Sequence, residues 1–304
     1  MTAISRRINL PAVAVALSLG TLAGGAQALD LSKPDDSYQA MLRVVGDLSG
    51  KTVYKDWDAT IFASLPGQKP KPILRTIGFN AGRLIKQADG SHHWVTREVS
   101  YYVDLQTGKI IETWQNPLNG KTVDVVQVAN DPVSSKFPKL EAGKFNPFAA
   151  FAKFDVRGEV SWMRWDVPLQ YPNELKPATN PEESTGETYI ASEHFIWFSN
   201  TADLQSDTAT STPAHYAWFR TGPWLPWMKM GMTPGQLIYS GNGRKYSSFD
   251  ELSPQLRAYT LKHFPKYADA PTSFYQPNET SWSYYRKLKE AGTLPGPGDK
   301  PAKK

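Results

Sequence analysis

The sequence has no cysteine and only five histidines in 304 residues. Without cysteine there is no disulfide scaffold, no thiolate-bound zinc, no iron–sulfur cluster and no thiol nucleophile. The histidines are His92, His93, His194, His215 and His263, and they form no His-x-His or HExxH pattern. Adjacent His92 and His93 point to opposite faces of a strand, which is poor geometry for one metal. No metal and no cofactor are therefore expected, and a site built from His93, His194 and His215 is the one metal arrangement the spacing leaves open. Nucleotide binding lacks support, because no GxGxxG follows a strand and no Walker loop is present. The Gly-x-Ser-x-Gly elbow of α/β-hydrolases is missing too. The formal net charge is only +5, with no clustered Lys/Arg footprint, so no nucleic-acid partner is expected. Past the first 28 residues, no run is apolar enough to span a bilayer.

Residues 1–28 read as an export signal. Arg6 and Arg7 lie in a short polar start, residues 10–23 are a run of apolar and small residues, and Ala26-Gln27-Ala28 fits the small-x-small cleavage rule. Ser5-Arg6-Arg7-Ile8-Asn9-Leu10 also resembles a twin-arginine signal, although Asn9 and Pro11 depart from the usual pattern, so the general secretory route stays open. The expected chain begins near Leu29 and is periplasmic or secreted, with no stable membrane insertion after cleavage. Intact mass spectrometry of protein from its native host checks this: a mass starting at or near Leu29 is expected, and retention of residues 1–28 contradicts it. Cleavage removes two arginines and no acid, so the charge falls to +3.

Residues 29–294 read as a single β-rich domain, and residues 295–304 as a basic disordered tail. Helical spacing over 37–47, capped by Asp35 or Asp36, is followed by alternating runs over 53–63, 73–86, 92–104, 109–115 and 122–129. After an irregular connection over 138–154, strand patterns resume over 156–168, 188–199, 212–221 and 236–246. Short Gly- and Pro-bearing connections join antiparallel neighbours. Helices are expected from Ser253-Pro254 to about residue 264 and over 281–291. An open sheet of this many strands exposes its edges, so the expected fold is mainly β: an antiparallel meander closing into a barrel or strongly curved sheet, with an N-terminal helix and two C-terminal helices.

Aromatic residues supply the main candidate site. Trp197 and Trp218 lie on neighbouring strands with Arg220, while Trp224 and Trp227 fall in a Pro- and Gly-rich loop. Core packing accounts for most such residues, but loop indoles near a strand end also line ligand cavities. On the strand over 92–104, period-2 alternation places His93, Arg97 and Tyr101 with the valines, and Glu98 and Tyr102 on the other face. The valine-bearing face is taken as the inward one; the opposite orientation, burying Glu98 and Tyr102, stays open. A buried Arg needs a carboxylate or a bound anion. Asn130-Asp131-Pro132 reads as a turn.

The candidate acid/base residues are therefore His93, Arg97, Glu98, Tyr101 and His194. The candidate ligand-binding residues are Trp197, Trp218, Arg220, Trp224 and Trp227. The expected partner is a small apolar or aromatic molecule. A cofactor-independent lyase, isomerase or hydrolase in the same pocket, and a structural envelope protein, are the alternatives. Oligomeric state is left open.

Several motifs resemble those of domain-of-unknown-function family 1838, a family of exported bacterial proteins. They are Arg97-Glu98, Tyr101-Tyr102-Val103-Asp104, Thr107-Gly108, Asn116-Pro117 with Gly120-Lys121, Asn130-Asp131-Pro132-Val133, Gly222-Pro223-Trp224 and Glu279-Thr280-Ser281-Trp282. The resemblance runs roughly over residues 38–288. It implies export and one full-length domain, and brings no catalytic residues with it.

Overall fold

A computed structural model describes residues 28–141 and 151–295. Residues 1–27 of the expected export signal, residues 142–150 of the expected irregular connection and residues 296–304 of the expected tail lie outside the described residues. The strands are β1 (Val53–Ser64), β2 (Lys71–Lys86), β3 (His92–Val103), β4 (Thr113–Gln115), β5 (Thr122–Asp124), β6 (Val128–Asn130), β7 (Ser135–Phe137), β8 (Phe154–Arg157), β9 (Val160–Pro172), β10 (Thr188–Asn200), β11 (His215–Gly222) and β12 (Gln236–Tyr246). The helices are α1 (Pro34–Val45), α2 (Thr201–Gln205), α3 (Pro254–His263) and α4 (Ser281–Glu290). Among the described residues no helix is long and apolar enough to cross a membrane.

Local chemistry accounts for most boundaries. The β1–β2 and β2–β3 hairpins turn at Gly67 and Gly90, whose φ angles of +71° and +86° suit glycine. Ser253 caps α3, accepting from the Leu256 N–H at 3.3 Å ahead of Pro254. Thr280 and Ser283 form a capping box on α4. Asp35 and Asp36 do not cap α1; the helix begins one residue earlier, and both sit in its first turn, where carboxylates favour the helix dipole.

The main sheet is antiparallel and runs β6-β3-β2-β1-β12-β11-β10-β9-β8, with β7 also on β3; β4 and β5 form a separate ribbon. Two meanders, β1–β3 and β8–β12, are joined because the first strand pairs with the last, Tyr54 opposite Tyr246 and Ser64 opposite Gln236. The expected barrel is not formed. β6 and β7 end the sheet on one side and β8 on the other, without pairing to each other, and the sheet is open. β8 pairs only with residues 160–163 of β9, and β6 and β7 only with residues 98–100 and 92–94 of β3, so each side of the sheet ends in short strands that do not pair with each other.

Both faces are covered. On the outer face, Tyr54, Phe79, Val99 and Tyr101 pack under Leu252, Leu256 and Phe264 of the C-terminal segment. The inner face carries two clusters. One gathers Met41, Val44 and Val45 of α1 with Trp94, Trp197 and Tyr216. The other gathers Trp224, Trp227 and Met228 with Tyr102, Tyr239, Trp282 and Tyr285.

Candidate functional site

Between the two inner clusters lies a cavity of about 440 Å³. Indoles and phenyl rings make most of its wall: Trp57 from β1, Trp165 from β9, Phe195 and Trp197 from β10, and Trp218 from β11. Tyr102, Tyr171, Tyr189, Tyr239 and Trp282 line the part nearer α4. Glycines let the rings lie close to the sheet. A Cβ at Gly78 would stand 2.5 Å from the Trp57 ring, and one at Gly82 would stand 2.2 Å from that of Trp94.

One polar row crosses this apolar wall. Lys245 on β12 stands opposite Lys55 on β1, Lys55 opposite Asn80 on β2, Asn80 opposite Glu98 on β3, and Glu98 opposite Asn130 on β6. Directly opposed residues share a face, and Lys55, Asn80, Glu98 and Asn130 all line the cavity. Asn130 Nδ2 donates to Glu98 Oε1 at 2.7 Å. The side-chain oxygens of Asn80 and Asn130 and the indole N–H groups of Trp197 and Trp218 are buried without a hydrogen-bond partner among the described residues.

Glu98 keeps some accessible surface, but that surface faces the cavity, and protein surrounds the carboxyl. Burial pushes it up to about 7; Glu193 adds to the rise, while the Asn130 hydrogen bond and the Arg220 charge work against it. Lys55 is driven down to about 7 by burial. The other ionic groups lining the cavity are paired within the protein, Glu279 with Lys287 and Glu193 with Arg220. Arg220 Nε lies 2.9 Å from Glu193 Oε1, the guanidinium donates to the Tyr189 hydroxyl, and it stands 5.0 Å over the Tyr239 ring.

Of the residues expected from sequence, Glu98, Trp197, Trp218 and Arg220 meet at this cavity. The others lie elsewhere. The inward face of β3 is the one bearing Glu98 and Tyr102, because the valine-bearing face is itself buried, under the C-terminal segment. Arg97 Nε lies 3.3 Å from Asp131 Oδ2 and its guanidinium donates to the Lys266 and Asp269 carbonyls. Tyr101 hydrogen-bonds Thr260 at 2.8 Å and stacks on Phe264. His93 packs on Phe274 at 4.6 Å. His194 is exposed, 2.7 Å from Asp166. Trp224 and Trp227 are core residues rather than rim residues: Trp224 donates to the Thr233 carbonyl at 2.8 Å, and Trp227 packs on Tyr102 and Trp114. Among the described residues no three His, Asp or Glu side chains are grouped to hold a metal ion.

Sequence reasoning missed Lys55, Trp57, Asn80, Asn130, Tyr189 and Tyr239. One signal was present for Lys55: it stands in phase with Val53, Trp57, Ala59 and Ile61, a charge on the apolar parity of its strand. Asn130 was absorbed into the turn reading, yet it ends β6 and faces Glu98.

The sequence matches the model of a family described as "Protein of unknown function (DUF1838)" over residues 50–289. The chain belongs to this family. The DUF1838 region takes in every cavity residue named above, from Lys55 to Trp282. No curated protein matches the sequence. Among solved structures, Ail, the attachment invasion locus protein of Yersinia pestis, is similar at 11% identity over 65% of this chain and 99% of that one, with a TM-score of 0.13. A score that low carries no structural argument.

Proposed function

We propose that this DUF1838 protein is exported and binds a small apolar or aromatic molecule in the cavity between its two inner clusters. The observation that carries the reading is an aromatic cavity of about 440 Å³ with unpaired polar atoms in its wall. Small-molecule sites typically span roughly 300–1,000 Å³, mostly apolar with a few placed polar groups. An unsatisfied buried polar atom costs about 1–3 kcal/mol, so the Asn80 and Asn130 oxygens and the Trp218 N–H favour an occupant with one or two polar atoms on an apolar body. Export rests on the charged start, apolar run and Ala26-Gln27-Ala28 site of residues 1–28.

A second reading, a cofactor-independent enzyme in the same cavity, is favoured by Glu98. A carboxyl that titrates near 7 both gives and takes protons at neutral pH, a property that a carrier does not require.

Titration with N-phenyl-1-naphthylamine, an uncharged aromatic probe, tests the binding reading. Saturable quenching of protein tryptophan emission is expected, with dissociation in the micromolar range. Val167→Trp, which fills the cavity from β9, is expected to weaken binding at least tenfold while changing the melting temperature by only a few degrees. Equal binding by wild type and Val167→Trp contradicts the proposal.

A further inference from the structure

The polar row puts one primary amine into the aromatic cavity. Lys55 is only 9% exposed, and its Nζ stands 4.3 Å from the Trp94 ring centroid and 5.7 Å from that of Trp197. Its cross-strand neighbour Lys245 is partly buried and has structural work. Its ammonium donates to the Arg43 and Gly46 carbonyls at the C-terminal end of α1, at 2.9 Å to Gly46, where a cation complements the helix dipole. Lys55 has no comparable role. Burial disfavours its ammonium, and among the described residues no carboxylate pairs with it; the faces of Trp94 and Trp197 are the attraction left to the charge.

The charged groups around Lys55 reinforce this. Lys245 faces it from β12. Asp47 acts on Lys245, Asp56 is taken up by the Arg244 N–H and the Tyr246 hydroxyl, and Glu98 stands one place beyond Asn80 and accepts from Asn130. A lysine desolvated in an apolar pocket beside a second cation is a recurrent way of making a neutral, nucleophilic amine.

We propose that Lys55 is a nucleophilic amine that forms an imine with the carbonyl group of an apolar or aromatic aldehyde or ketone held in the cavity. The inference rests on the cavity being a binding site and adds the reactive group of its ligand. The Nζ lone pair forms the C–N bond while the carbonyl π pair moves to oxygen. One amine proton passes to that oxygen, giving a carbinolamine. The C–O bond then breaks, and the oxygen leaves as water with the second amine proton. Amine plus carbonyl give imine plus water, with no oxidant, reductant or cofactor. Lys55 is buried against the ring wall, which limits water at the imine and slows its hydrolysis.

Reductive trapping tests this on the full-length protein. Wild type is treated at pH 7 with limiting formaldehyde, the smallest aldehyde, and cyanoborohydride, and modified lysines are mapped by peptide mass spectrometry. An exposed lysine of pKa ~10.4 is deprotonated in less than about one part in a thousand at this pH, so Lys55 is expected to be modified at least tenfold ahead of any other lysine. With 2-naphthaldehyde, one adduct per chain is expected, at Lys55, and none in Lys55→Met, whose fold is checked by its melt. Modification confined to exposed lysines overturns the proposal, as does equal labelling of wild type and Lys55→Met. Formaldehyde modification of Lys55 without a 2-naphthaldehyde adduct overturns it as well. If N-phenyl-1-naphthylamine still binds in any of these cases, the imine falls and the binding reading stands; if it does not, both fall.

Discussion

Replacing Trp227 or Trp224 by alanine is expected to lower stability by about 3–5 kcal/mol, the usual cost of deleting a buried indole. For a domain of this size that is a fall in melting temperature on the order of 10 °C. Trp224 is 1% exposed and Trp227 3% exposed. Trp227 lies 4.9 Å from Tyr102 and 5.7 Å from Trp114, centroid to centroid, and residues 226–228 form a 3-10 turn that presents it to the cluster. Trp197, 4% exposed on β10, is expected to show a loss of the same order. A loss below about 1 kcal/mol for both loop variants, measured by thermal and urea melts, would put these indoles at a rim instead.

The second large effect is electrostatic. Glu98 is raised from 4.5 to about 7 in the folded state. Between those two values the folded protein holds a proton that the unfolded chain has released, so stability falls as pH rises through this window and levels off above about 7. The size is on the order of 3 kcal/mol. Lys55 and Lys245 act in the opposite sense. Both are lowered from 10.5 to about 7, so between about 7 and 10.5 the unfolded chain holds the extra protons and stability rises with pH. Together these groups place a minimum of stability near pH 7. Urea unfolding at pH 5, 7 and 9 checks each limb. Relative to wild type, Glu98→Gln is expected to gain stability between pH 5 and 7, and Lys55→Met to lose its relative advantage between pH 7 and 9. Variant curves parallel to wild type at all three values would show that neither group is buried in the way described.

The elements themselves were largely legible. β12 occupies residues 236–246 as its alternation implies, α3 begins at the cap that Ser253-Pro254 announces, and α4 falls within the expected span over 281–291. Turn glycines and two-fold alternation are local signals, and they survive tertiary packing. What alternation cannot carry is which of two faces meets which partner. On β3 both faces are buried, one by the cavity wall and one by the C-terminal segment, so the valines marked a covered face without marking the functional one. That reversal moved Arg97, Tyr101 and His93 away from the site and brought in Glu98. The polar row was hidden for a related reason. Its run from Lys55 through Asn80 and Glu98 to Asn130 depends on the register of β1, β2, β3 and β6, and its Lys245 end on the pairing of β1 with β12, a contact between residues nearly 200 positions apart along the chain; no local pattern announces either. Trp224 and Trp227 misled because a Pro- and Gly-rich loop usually runs over the surface, whereas this one folds inward as part of a cluster.

A crystal structure of the protein grown with N-phenyl-1-naphthylamine tests the central claim most directly. The account predicts the naphthyl rings between Trp165, Trp197 and Trp218, with the probe's amine within hydrogen-bonding distance of Asn80 or Glu98 in the polar row. Probe density confined to the outer surface, with the wall rings collapsed into the space between the two inner clusters, would contradict it.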